Sequence, residues 1–101
     1  MDPAKAAHYF YVAAENGDGG AAGLLAMNYY HGEGVPQSNA AALAWTCIAE
    51  VERDPNATEL KNLLIGVMTP DEVDQARQIF QRLADPISSR YQRNLARGLG
   101  Y

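Results

Sequence analysis

Ala21-x-x-x-Leu25-Ala26-x-x-Tyr29-x-x-Gly32-x-Gly34-Val35-Pro36-Gln37 is the stretch on which the fold turns. Leu25, Ala26 and Tyr29 recur at helical spacing. Gly32 and Gly34 permit the positive backbone dihedrals with which a chain reverses between two helices, and Pro36 fixes the direction of exit. On either side of this turn the sequence copies itself. Ala4, Ala6, Ala13, Asp18 and Ala21 return thirty-six residues later as Ala40, Ala42, Ala49, Asp54 and Ala57, with Tyr9 returning as Trp45 and Val12 as Ile48. Alanine matches are cheap in so alanine-rich a chain, so the aromatic and acidic matches carry the weight. A helical pattern with a period of about 34–45 residues marks stacked helix-turn-helix units. Such units present surfaces and seldom perform chemistry.

Six helices are expected. Asp2-Pro3 opens the first, whose apolar face is Ala6, Tyr9, Phe10, Ala13 and Ala14. The run Asn16-Gly17-Asp18-Gly19-Gly20 ends it, and the second helix spans about Ala21 to His31. Ser38 caps the third, with Ala42, Trp45, Ile48 and Ala49 facing inward. Asp54-Pro55 repeats the start signal for a fourth helix carrying Leu60, Leu63, Leu64 and Val67. Thr69-Pro70-Asp71-Glu72 is a capping box opening a fifth, with Val73, Ala76, Ile79, Phe80 and Leu83 on one face. Asp85-Pro86 predicts a sixth, with Ile87, Tyr91 and Leu95 spaced by four. No segment alternates as a strand would. Short turns predict antiparallel sequence neighbours.

The motif Ala21 to Gln37 resembles the Sel-one-like repeat, a relative of the tetratricopeptide repeat. Residues 21–56 look like one complete unit. Residues 2–20 resemble the second helix of a preceding unit, through Ala4-Lys5-Ala6, Tyr9-Phe10, Ala13-Ala14-Glu15 and Gly17-Asp18. Residues 57–84 resemble a degenerate first helix with a terminal cap. The resemblance implies an all-α fold: a short right-handed α-solenoid of antiparallel helix pairs, about one and a half repeats plus C-terminal capping helices. The chain departs from the family pattern at Ala26, where glycine is usual, and at Thr46, which replaces the second aromatic of its helix. The third unit lacks the Gly-x-Gly turn, and the first lacks its leading helix.

Composition bounds the function. The chain has 101 residues, room for one small domain, and a net charge of −4. That balance argues against nucleic acid as a partner and against general adhesion to anionic membranes. Residues 1–85, the expected repeat domain, hold all twelve acids and five bases, whereas residues 86–101 hold Arg90, Arg93 and Arg97 and no acid. This second segment reads as a basic amphipathic C-terminal helix or tail, its arginines suited either to the negative helix end or to an acidic partner. No stretch has the apolar length of a membrane span, and Met1-Asp2-Pro3-Ala4-Lys5 has no signal-peptide character, so the chain as written is expected in the cytoplasm. A single cysteine, Cys47, excludes an intrachain disulfide and a cysteine-based zinc site.

Candidate chemistry is sparse. Gly32-x-Gly34 follows a helix and has no phosphate-loop lysine, so it reads as a turn. His8 and His31 lack metal-ligand spacing, Glu50 and Glu52 do not face each other, and Ser88, Ser89 and Cys47 have no nearby base. No catalytic residue, cofactor or metal is expected. By analogy with tetratricopeptide arrays, Gly23, Met27, Tyr30 and His31 point to an inner curve and would meet a protein or peptide; Arg90, Arg93 and Arg97 form a second candidate contact. Tyr9, Phe10 and Tyr11, lacking sequence partners, are candidates for self-association as a homodimer. The expected role is a non-catalytic interaction adaptor. One rival is a small enzyme or ligand-binding domain with a pocket near Tyr29, Tyr30, His31 and Trp45; another is a structural piece of a longer array.

Overall fold

The computed structural model describes the backbone of residues 2–98 and the side chains of residues 2–85. It contains five helices: α1 (Pro3–Glu15), α2 (Gly19–His31), α3 (Asn39–Val51), α4 (Ala57–Val67) and α5 (Pro70–Gly98), with no strand among the described residues. Local chemistry sets most of the boundaries. Asp2, Asp18 and Ser38 each accept a hydrogen bond at 3.0 Å from the backbone N–H of Ala4, Ala21 and Ala41, satisfying donors that a helix start leaves free. At α5 the capping box is complete: Glu72 N–H donates to Thr69 Oγ1 at 3.2 Å, and Thr69 N–H to Glu72 Oε1 at 3.0 Å.

Three boundaries differ from the sequence expectation. Gly19 and Gly20 belong to α2 because Asp18 caps directly ahead of them. Asp54-Pro55 forms a turn, not a cap: Asp54 Oδ1 accepts from Asn56 N–H at 3.2 Å, and α4 starts at Ala57. The sixth helix does not exist as a separate element, since α5 runs unbroken through Pro86. Proline costs a helix interior about 3 kcal/mol through its missing N–H and its ring, and the helix formers Gln81, Arg82, Leu83 and Ala84 before it and Arg90, Gln92 and Arg93 after it add no further propensity penalty of that size. The division at residues 85 and 86 therefore falls inside one helix.

The thirty-six-residue period reappears in the backbone. α1 and α3 have the same thirteen-residue length, with bounds offset by that period. Gly17 has φ +97° and its counterpart Arg53 φ +66°, the one non-glycine residue with positive φ among the described residues. Asp18 N–H donates to Ala13 O at 3.1 Å, and Asp54 N–H to Ala49 O at 2.9 Å; Gly17 to Ala14 and Arg53 to Glu50 repeat likewise.

Helix α3 is the hub, packing on α2, α4 and α5, while α1 packs on α2. The end of α2 meets the start of α1, where Gly34 lies against the Pro3 carbonyl, and the start of α2 meets the end of α3, where Gly19 lies against Glu52. Both pairs are therefore antiparallel. By contrast α3 and α5 run parallel: Asn39 at the start of α3 donates to Glu72 at the start of α5 at 3.2 Å. Helix α5 leans on α3 more than on α4, so the last sequence neighbours are not the close antiparallel pair expected of them.

The core is built largely of alanine, including Ala7, Ala14, Ala22, Ala26, Ala42, Ala44 and Ala49, which brings helix backbones close together. Trp45, 3% exposed, is its largest anchor and clusters with the fully buried Leu25 and Ile48, while Leu64 is fully buried in a second cluster with Ala40, Ala42, Leu43 and Ala76. Thr46, in place of an aromatic, is also fully buried, and its hydroxyl is satisfied by donating to Ala42 O at 2.7 Å. In α4, Ala57 and Leu64 are buried and Leu60 is half-buried; Leu63 and Val67, expected inside, lie outside.

Candidate functional site

Between α2 and α4 runs an open groove of about 780 Å³. One wall is Gly20, Gly23, Leu24 and Met27 of α2; the other is Asn56, Glu59, Leu60 and Leu63, with Asp54 and Asn62 completing the lining. The walls are related by the sequence period. Gly20 and Asn56, Gly23 and Glu59, Leu24 and Leu60, and Met27 and Leu63 each lie thirty-six residues apart. Two equivalent helix faces thus look at each other across an apolar floor. Leu24 and Leu63 are 52% and 62% exposed, the expected state of side chains lining an unfilled cleft.

The local electrostatics are one-sided. The groove lining contains Asp54 and Glu59 and no lysine or arginine. Lys61, on the same helix as Glu59, is held elsewhere: its Nζ lies 2.8 Å from Glu50, which also accepts from Thr58 Oγ1 at 2.9 Å. That pairing holds the Glu50 carboxyl below its ordinary pKa and raises that of Lys61. A Cβ at Gly23 would stand 2.7 Å from Asp54 Oδ2, the far end of a side chain that could turn aside. The missing side chain leaves that oxygen room against α2.

The expected inner-curve residues divide. Gly23 and Met27 line the groove. Tyr30 instead packs half-buried against the cluster of Ala40, Leu43, Leu64 and Ala76, and His31 is exposed at the end of α2, edge-on to Tyr30 with ring centroids 5.0 Å apart. The side chains of Arg90, Arg93 and Arg97 lie outside the described residues. Of the self-association candidates, Phe10 packs against the core, and Tyr11 meets Trp45 edge-on at 5.6 Å. A hydrogen bond with Glu15 raises the Tyr11 pKa. Tyr9 is 66% exposed, its ring edge-on to Phe10. Trp45 and Tyr29, invoked for a small-molecule pocket, belong to the packed core.

Sequence reasoning missed the α4 wall. The signal was present: carrying Gly23 and Met27 forward by one period gives Glu59 and Leu63. It was obscured because Leu63 continues an apolar helical stripe and so reads as core.

Elsewhere, one titratable group is unusual. Glu52, just beyond α3, has both carboxylate oxygens buried without a hydrogen-bond partner, beneath the Gly17–Gly19 turn. Burial, and then the nearby Asp18 carboxylate, push its pKa up to about 7. Cys47 is half-buried, and burial raises its thiol pKa, keeping it protonated and poorly nucleophilic. No group of three or more metal-ligating side chains occurs among the described residues, and no helix among them is long and apolar enough to cross a membrane. Searches against protein-family models and curated proteins gave no match for this chain.

Proposed function

We propose that this chain is a short Sel-one-like helical-repeat module that binds a protein or peptide segment in the groove between α2 and α4 and performs no catalysis itself. The observation that carries this reading is the period-related pairing of the two walls. A groove made from the same positions of successive units is what stacked hairpins produce when they form a concave surface. Its exposed leucines and flexible Met27 suit an adaptable, partly apolar contact. Antiparallel α1/α2 and α2/α3, with α3 and α5 parallel, fit a right-handed solenoid in which α5 closes the end.

The test is to select peptides against the intact chain from a random display library and map them by amide chemical shift. Shifts should concentrate on Leu24, Met27, Leu60 and Leu63. Shifts concentrated instead around Tyr9 and Val12 of α1, or around Tyr30 and His31, would remove the groove reading.

A further inference from the structure

Resting on that reading, we infer that the groove's occupant is a segment presenting lysine or arginine beside apolar side chains. Every charged group in the lining is acidic. Among the described residues, neither Asp54 nor Glu59 takes part in an ion pair: Lys61, two residues from Glu59, is engaged with Glu50, and Arg53, next to Asp54, forms no ion pair with it and stands outside the groove lining. Two carboxylates therefore flank an apolar wall with no ion-paired counter-charge among the described residues. The positive end of α4 offsets part of the Glu59 charge but leaves the groove acidic.

A lysine or arginine side chain answers both features at once. Its aliphatic stem covers apolar surface and its charged head remains at the polar edge. Laid across Leu24 and Leu63, such a stem would bring its head to Glu59. A neighbouring cation would reach the Asp54 oxygen that leans over Gly23, where the absence of a side chain keeps the approach open. An acidic segment would meet repulsion from both carboxylates. A purely apolar segment would cover the leucines but reduce the hydration of Asp54 and Glu59 without pairing them, which costs free energy.

The experiment sequences the peptides selected against the full chain and measures their affinity by fluorescence anisotropy for the wild-type protein and for E59K, L63E and E33K. Glu59 and Leu63 line the groove, whereas Glu33 is an exposed acid in the turn after α2 and reports only the general negative field. The expected result is enrichment in lysine and arginine, binding about five- to tenfold weaker to E59K and nearly unchanged for E33K, with weakening as salt rises from about 0.05 to about 0.5 M. Equal losses from E59K and E33K overturn the inference, because the field of the whole chain would then account for the binding. Neutral or acidic peptides that lose binding to L63E and ignore E59K overturn it while leaving the groove reading intact. Binding that survives L63E removes both. A sedimentation mass of two chains that persists in E59K also overturns it, since a second copy would then cover the groove through apolar contact alone.

Discussion

At the scale of single residues, two positions are under strain that the sequence does not advertise. Arg53 occupies the left-handed region that glycine fills at the equivalent position, Gly17. For a residue with a Cβ that conformation costs about 1–2 kcal/mol, part of which glycine gives back through its greater freedom in the unfolded chain. Arg53→Gly should therefore stabilise the fold by about 0.5–1 kcal/mol, read as a higher midpoint in chemical denaturation. Glu52 is the second. Its folded pKa of about 7 lies above the ordinary carboxylate value, so the folded state binds the proton more tightly than the unfolded state. The stability this gives is present in full below the unfolded pKa and is lost as pH rises through about 7. The melting temperature should fall between about pH 5 and pH 7.5, and Glu52→Gln should flatten that slope while raising stability at pH 8 by roughly 1 kcal/mol, a figure reduced for partial solvent screening. A slope unchanged in the glutamine variant would assign the pH dependence to other groups.

At the scale of elements, the turn between α2 and α3 does more than reverse the chain. Gly34 has φ +77° and lies directly against the Pro3 carbonyl at the start of α1. Gly34→Ala would meet both a left-handed penalty and a clash with backbone that cannot rotate away. The expected cost is about 2–4 kcal/mol, with amide exchange in α1 accelerating more than in α3. Helix α4 is the opposite case, being amphipathic in sequence but buried through little beyond Ala57, Leu60 and Leu64. Leu63→Ser should cost less than about 1 kcal/mol, whereas Leu64→Ala should cost about 2–5 kcal/mol by urea denaturation. Equal costs would mean that Leu63 is packed in solution and the groove is filled.

At the scale of the whole molecule, stability should centre on α3, which packs on α2, α4 and α5 and meets α1 where Tyr11 lies against Trp45. Alanine contributes little apolar area per residue, so the large anchors carry a disproportionate share of the burial term. Trp45→Ala should cost about 3–5 kcal/mol, a large fraction of what a domain this size has in hand. The protein has one tryptophan, so its emission gives a direct readout: blue-shifted when folded against Tyr11, and shifting red with global unfolding. In native-state hydrogen exchange, α3 amides should open last.

The sequence by itself determined the helices and the period. Caps at Asp2, Ser38 and Thr69, and apolar faces such as Ala42, Trp45, Ile48 and Ala49, act over one or two turns and need no distant partner, whereas the cap at Asp18 is hidden in a run that reads as a helix end. Where a start signal does not interrupt the helix before it, as at Pro86, the sequence predicts six helices and the described residues form five. Only the tertiary structure decided which side of each apolar stripe is used. Leu63 and Leu64 are adjacent and chemically identical, yet one is exposed and the other fully buried, because the placement of α4 on α3 leaves room for a single layer of contact. The same placement turned Gly23 and Glu59, unrelated by any local rule, into opposite walls of one acidic groove, since distance across a cleft is set by how whole helices pack.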